Sequence, residues 1–496
     1  MNCSAQLRLA SRNPAQVLTA ALALGLLTGC VVGPHYSRPS APVPPAYRET
    51  PENWKQAQPA DQALRGKWWE IYQDAQLNAL EEQINLSNQT LKAEQAQFAQ
   101  ARAFVRQNRA DYFPTVSAGP SVSRNRISQN RPLGAPTTDY TDLVLPVDVS
   151  YEPDVWGRVR RTVEAARSNA QASAADLESV SLSLHAELAI DYFQARALDA
   201  EIQLLDSTVA AYEKALQLTQ NRYQGGIASQ VDVAQAQTVL ETTRGQSIDL
   251  RAQRAAYEHA LATLIGEPAS SYALALSPLN AIPPVTPPGV PSGLLQRRPD
   301  IAAAERRVAA ANANIGVARS AYFPALNLTA DGGFESTTIT NWLSGPSGFA
   351  AVGLSALETL FDAGQRHAIS DQAAAAYDQS VANYRQDVLT AFEEVEDNLA
   401  ALRILEQEAQ TEAAAVAASE HSLALSSNRY RGGVASYLEV ITAQNLALSD
   451  ERTAVEISGR RMVDSVLLIK ALGGGWNAAN LPTAQNAERS SSVAGQ

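Results

Sequence analysis

Two stretches of the chain are copies of one another. NRYQGGIASQVDVAQAQ (221–237) and NRYRGGVASYLEVITAQ (428–444) lie 207 residues apart with no gap between their registers. The same offset pairs Gly157 with Gly364, Glu187 with Glu394, Leu198 with Leu405 and Gly266 with Gly473. Farther upstream, Tyr112-Phe113-Pro114 returns as Tyr322-Phe323-Pro324 at an offset of 210, so the copies differ there by a three-residue loop change. A fixed period of this kind constrains a fold more than any single motif, because each structural assignment must work twice. The chain reads as a tandem duplication of about 200 residues per copy. Between the copies, SPLNAIPPVTPPGVPSG (277–293) carries six prolines and suits a stiff, extended linker.

Each copy follows the same course. A helix rises to Tyr-Phe-Pro, where proline ends it and pushes the preceding residue toward extended geometry. Strand-like segments follow. Leu143, Leu145, Val147, Val149 and Tyr151 alternate with Val144, Pro146, Asp148, Ser150 and Glu152, a period of two with one largely apolar face. In the second copy Leu326, Leu328 and Ala330 alternate with Asn327, Thr329 and Asp331, and Val352, Leu354 and Ala356 alternate with small residues. Polar loops at 125–140 and 335–347 join the strand pairs. Very long helices are expected next, over 158–222 and 365–429, each about 95 Å at 1.5 Å per residue. Leu198, Ile202, Leu205, Val209, Tyr212 and Leu216 recur at the alternating spacing of a coiled-coil seam. A Gly-Gly turn reverses the chain, and a shorter helix returns to Gly266 or Gly473.

The amino terminus fixes a compartment. Arg8 and Arg12 precede a short apolar run at 17–27, and small residues then lead into Cys30. That run is too short to span a bilayer and reads as a secretory signal peptide over 1–29. Leu27-Thr28-Gly29-Cys30 resembles a bacterial lipobox, which makes Cys30 the lipid attachment site. Cys3 leaves with the leader, so the mature chain can form no internal disulfide. Val31 stands where an inner-membrane retention aspartate would stand, which favours the outer membrane.

No apolar run of 18 residues follows Cys30, so a membrane-embedded part has to be a β-barrel. Four candidate strands per chain cannot close, and an open edge in lipid leaves backbone groups unsatisfied. Three chains give twelve strands and room for an aqueous bore. The alternative is a coiled-coil protein with a small solvated sheet. Tyr112, Phe113, Tyr322 and Phe323, with Trp156 and Phe361, fall at helix–strand junctions, where an interfacial aromatic belt sits. The net charge of −12, from 39 basic and 51 acidic residues, argues against nucleic acid as a partner.

Catalysis has no foothold. His35, His185, His259, His367 and His421 are scattered, no HExxH or CxxC spacing exists, and no metal or cofactor is expected. The QGG and RGG turns lack the lysine of a phosphate loop and read as left-handed helix C-terminal glycines. In LQRRPDI, Pro299 suits a first helical position, and Asp300 and Glu305 suit the positive end of the helix dipole.

GCVVGPHYSRP, YEPDVWGRVRRTVEAARSNAQAS (151–173) and LLQRRPDIAAAERRVAAANANIGVARSAYFPAL (294–326) resemble the NodT-type efflux lipoproteins among the TolC-like outer membrane factors of tripartite pumps. The resemblance runs from the lipobox to about Trp476. It implies a mainly α homotrimer with a 12-stranded transmembrane β-barrel, four strands per chain, above a long periplasmic α-helical barrel. The implied function is a passive outer-membrane exit duct for small toxic compounds. The implied partners are a periplasmic adaptor (membrane fusion protein), an inner-membrane transporter of the RND class and outer-membrane lipid. A type I secretion duct shares the fold; a periplasmic coiled-coil adaptor would carry one hairpin rather than two. The corresponding divisions are a leader (1–29), an N-terminal equatorial segment (30–74), the first repeat (75–269), a linker (270–297), the second repeat (298–475) and a tail (476–496). Adaptor-contact tips fall on Arg222, Gly225, Gly226, Ser229 and Asp232, and on Arg429, Gly432, Gly433 and Ser436. The resemblance carries the periplasmic gate onto Glu439, while Thr442 replaces a second acidic position. Local chemistry offers a competing role: Ser436-x-x-Glu439 and Ser229-x-x-Asp232 are both capping-box patterns.

Overall fold

The computed structural model describes residues 31–49, 66–128, 139–286, 291–483 and 486. The leader, Cys30 and most of the first polar loop lie outside the described residues, as does most of the tail beyond Thr483. The first repeat contains α1 (Ala75–Ser87), α2 (Gln89–Ala110), β1 (Thr115–Ala118), β2 (Ser121–Arg126), β3 (Asp139–Tyr151), α3 (Arg158–Gln224) and α4 (Gln230–Leu264). The second contains α5 (Pro291–Arg297), α6 (Pro299–Ser320), β4 (Ala325–Ser336), β5 (Gly348–Leu357), α7 (Gln365–Arg431) and α8 (Tyr437–Ala471).

The two repeats agree in length as well as order. Both long helices have 67 residues and both return helices 35, so each long helix runs about 100 Å. Each starts from a left-handed glycine, Gly157 or Gly364. Local chemistry sets the other ends. Asp74 accepts from the amides of Gln76 and Leu77 to start α1, and Asn88 both ends α1 and caps α2 through Leu91 N. Pro299 occupies the first turn of α6 as its sequence required. Asp300 accepts from Ile301 N, but Glu305 lies too deep in α6 to serve the dipole; it receives Tyr36 and Arg306 instead.

The sheet runs β1-β3-β4-β5, all antiparallel, with β2 also on β3. Among the described residues five strands occur where four are expected, but β1 and β2 share one register. Ala118 faces Val147 and Ser121 faces Val144, so Gly119-Pro120 only interrupts a single line of pairing. Pro120 has no N–H to give to the ladder.

Around the middle of the long helices lie two related cores. One joins Trp68, Trp69, Leu77, Ile84, Leu188, Phe193, Leu261, Met462 and Ile469. The other joins Tyr47, Leu294, Ile301, Tyr384, Val388, Phe392, Val395 and Leu468. Within the chain α3 packs on α2, α4, α6 and α8, whereas α7 packs on α6 and α8.

Candidate membrane sheet and periplasmic tips

The strand register sorts side chains onto two faces. One face carries Val116, Ala118 and Val122, then Leu143, Leu145, Val147 and Val149, then Leu328, Ala330 and Phe334, then Val352 and Leu354. The opposite face carries Ser117, Ser123, Asp148, Ser150, Thr329, Asp331, Glu335 and Ser355, with Val144, Phe349 and Leu357 among them. β3, β4 and β5 have 13, 12 and 10 residues, the length of a tilted membrane strand. No helix among the described residues is long and apolar enough to cross a membrane.

At the junction below the sheet, Trp156 stacks on Phe323 with centroids 4.8 Å apart and donates to Pro324 O at 2.9 Å. Phe113 and Phe361 project there, exposed. The chain just after Cys30 is tied to the same junction. Val32 N donates to Trp156 O at 3.1 Å, and Arg161 donates to the carbonyls of Val32 and Gly33. Gly33 has a φ of +104°, and a Cβ there would come within 2.5 Å of Gly316 Cα, so only glycine lets the strap pass over α6. Below it, Arg38 meets Tyr384, Arg385 holds Ser40 O, and Glu396 accepts from the amides of Arg48 and Glu49.

At the far end the hairpin tips meet. Leu216, Ala236 and Val239 of the first pack on Tyr430, Tyr437, Val440 and Ile441 of the second. Arg222 crosses between them. Its Nη1 donates to Tyr430 O at 2.9 Å, and its guanidinium lies 4.5 Å from the Tyr430 ring centroid. The arginine of one repeat therefore caps the long helix of the other. Burial, with Tyr430 and Asp232 nearby, pushes the Tyr437 hydroxyl up to about 12.

Both turns close alike. Ile227 N donates to Arg222 O at 2.9 Å and Val434 N to Arg429 O at 3.0 Å, the outer bond of a Schellman motif. The second glycine of each pair is left-handed, with φ of 71° at Gly226 and 75° at Gly433. Gly225 and Gly432 have φ of −78° and −75°, which corrects the expectation of left-handed geometry at both glycines.

The two expected capping boxes part company. Ser229 and Asp232 form theirs completely, with Asp232 N donating to Ser229 Oγ and Ser229 N to Asp232 Oδ2. Ser436 makes no side-chain cap. Glu439 is instead paired with Arg429 at 3.4 Å, and both side chains are largely exposed. Glutamate is one methylene longer than aspartate and reaches the arginine that the first repeat commits to the neighbouring hairpin. Thr442 is exposed and its hydroxyl donates to Leu438 O at 2.9 Å. Sequence spacing brought the tip residues onto two turns. It missed Tyr430 and Tyr437, whose burial depends on the other hairpin; their aromatic spacing on either side of the turn was the available clue.

Among the described residues no group of three or more His, Cys, Asp or Glu is arranged to hold a metal. The model for the outer membrane efflux protein family matches residues 80–267 and 290–474. The chain is 33% identical over 467 residues to the probable efflux pump outer membrane protein TtgC of Pseudomonas putida, covering 93% of this chain and 96% of that one. It is 29% identical over 465 residues to the cation efflux system protein CusC of Escherichia coli, covering 94% and 99%. Its fold is similar to the solved outer-membrane channel OprN, with a TM-score of 0.84, 29% identity, and coverage of 90% of this chain and 100% of that one. On the strength of the family match and full-length relatives, the chain belongs to the outer membrane efflux protein family.

Proposed function

We propose that this protein is the outer-membrane duct of a tripartite efflux pump, a homotrimer that gives small toxic compounds a passive path from the periplasm, or from an inner-membrane transporter, to the exterior. The observation that carries this reading is the two-faced sheet, mainly apolar on one side and mainly polar on the other, whose outer edges at β1/β2 and β5 have no strand partner among the described residues. In lipid such edges must find partners. Four strand lines from each of three copies close a 12-stranded barrel, polar face inward.

The tandem duplication supports a ring. α3 packs on α6 and α8 of the second repeat, yet among the described residues α7 makes no comparable packing on α2 or α4. Those are the same contacts shifted by one repeat. A neighbouring copy supplies them head to tail, and such heterologous contacts close into a ring. Tyr223 supports the same reading. It is 46% exposed, whereas its counterpart Tyr430 is 7% exposed beneath Arg222. By the repeat rule, Arg429 reaches the end of α3 and Tyr223 in the next copy.

In this reading Cys30 is the acylated N-terminus, and the strap that follows it, held to Trp156 at Val32, lies at the level of the membrane surface. Gly225, Gly226, Ser229, Asp232, Gly432, Gly433 and Ser436 form the tips that meet a periplasmic adaptor, with Arg222 and Arg429 behind them. An RND-class transporter supplies the energy. Glu439 lines the closed periplasmic end as a ring of three carboxylates, favouring cations as acidic rings do; Thr442 contributes no charge. Native mass spectrometry in detergent, followed by planar-bilayer recording, tests the assembly. A conducting trimer is expected, and a stable monomer or dimer would remove the barrel.

A further inference from the structure

Two positions related by the repeat sit in equivalent cores and differ in kind. In the second repeat Phe392 is buried beside Tyr47, with ring centroids 6.5 Å apart. The matching residue 207 positions earlier is His185, also buried, with the Trp69 ring stacked on it at 4.4 Å. His185 Nδ1 lies 2.6 Å from Glu81 Oε2, and its Nε2 lies 3.3 Å from Asn85 Oδ1. Glu81 is fully buried, and its other oxygen finds no partner among the described residues. The residue matching Glu81 at the offset of 210 is Pro291. The same core is thus built once with apolar residues and once around an ionisable pair. A buried pair of this kind is seldom more stabilising than apolar packing, and the second repeat shows that the architecture does without it.

The pair is also within reach of solvent protons. A cavity of about 520 Å³ is lined by His185, Trp69, Asn85, Ser181, Glu178 and Lys67. We propose that Glu81 and His185 form a proton-operated clasp that holds α1 and the turn Trp68–Tyr72 against α3, tight at mildly acidic pH and loosened as the pH rises above it.

The sign follows from counting protons. Burial raises the Glu81 carboxyl well above its ordinary value and lowers His185 to about 4. At 2.6 Å the two groups share one proton, and the closed clasp keeps it over a wide range. Once released, the groups titrate near their ordinary values, about 4.3 and 6.5. Between those values the released pair also holds one proton, so release does not depend on pH there. Above about 6.5 the released pair has lost its proton and the closed one has not, so rising pH favours release by up to about tenfold per unit. Below about 4.3 the released pair gains a second proton, but the closed pair gains its own at His185 near 4, so acid changes the balance little. The other titratable groups facing the pair are few. Glu82 of α1 is tied to Lys67, Tyr72 comes from the turn, and Glu178 of α3 stands at the cavity. Among the described residues α4 and α8 offer this core apolar or hydroxyl groups, including the Tyr257 phenol, Leu261, Leu264, Met462, Ser465 and Val466.

Hydrogen exchange on the full-length assembled protein tests the clasp, with rates corrected for intrinsic pH dependence. Opening of the amides of residues 75–87 should rise up to about tenfold between pH 6.5 and 7.5. It should be flat in the double variant Glu81→Leu with His185→Phe, which copies the apolar design of the second repeat. Amides of α6 around Ile301 serve as the internal control. Superimposable wild-type and variant profiles, or the same slope in α6, would overturn the proposal. Where the double variant fails to assemble, ring-nitrogen NMR of the wild type decides. His185 should show no transition between pH 5 and 7; a His185 midpoint near 6.5 overturns the clasp.

Discussion

Arg222→Ala should open the periplasmic end of the duct. The side chain makes a charge-assisted hydrogen bond to Tyr430 O at 2.9 Å and stacks its guanidinium 4.5 Å from the Tyr430 ring. A hydrogen bond to a charged group contributes about 1.5–3 kcal/mol, and an exposed cation–π contact about 0.5–1 kcal/mol. Arg222 is half-buried, so the low end applies and the sum is about 2 kcal/mol per chain. That corresponds to roughly a 30-fold shift in the balance between joined and parted tips. Truncation also uncovers one end of a long helix whose last carbonyls lose a cation. The assay is open probability in planar bilayers at low applied voltage, with native mass spectrometry confirming that the trimer persists. Open probability should rise severalfold or more in Arg222→Ala and less in Arg222→Lys, which keeps the charge but loses the planar fork. An intact Arg222→Ala trimer with wild-type closed time would refute the argument that this contact holds the two hairpins together.

Asp199 is buried and accepts from Arg196, Arg254 and Ser277 N, pinning the linker to the first hairpin. Asp199→Ala takes the carboxylate from Arg196, leaving it Ala275 O and Gln76, and leaves Arg254 only Glu258 and Leu274 O, so it should cost about 3 kcal/mol, whereas Glu406→Ala at the exposed equivalent site should stay within about 0.5 kcal/mol; equal thermal midpoints for the two would contradict this. Cys30→Ser should remove an acyl mass from the mature chain while the barrel still assembles, and an unmodified wild-type N-terminus in intact-mass spectra would end the lipoprotein assignment. Since Ser436 makes no side-chain cap, Glu439→Gln should alter cation selectivity with thermal stability nearly unchanged; identical currents would leave Glu439 without a part in the gate. Alanine at Gly226 or Gly433 must adopt a left-handed φ, at about 1 kcal/mol or more, and bulkier residues there should cut efflux while the trimer persists. Efflux loss that always tracks trimer loss would leave the adaptor contact unsupported.

The sequence by itself determined the elements and their repetition. Tyr-Phe-Pro, the Gly-Gly turns and the alternation in Leu143 to Tyr151 are local patterns, and local patterns follow from backbone sterics and the periods of helix and strand. The long helices run only two residues past their expected ends, at Gln224 and Arg431. The fixed offset then doubled each inference. Tertiary structure decided what lies across hairpins. That Arg222 caps α7, that Ser229 closes a capping box and Ser436 does not, and that Glu305 receives the strap at Tyr36 all depend on partners 200 or more residues away or on competition between nearby ones. Two nearly identical tip sequences take different bonds because only one faces the other hairpin within the chain. Glu81 and His185 are 104 residues apart, and no spacing rule joins them. Their pairing exists because α1 and α3 cross at one height, and the crossing of two rigid rods is a property of packing, which a one-dimensional pattern does not encode.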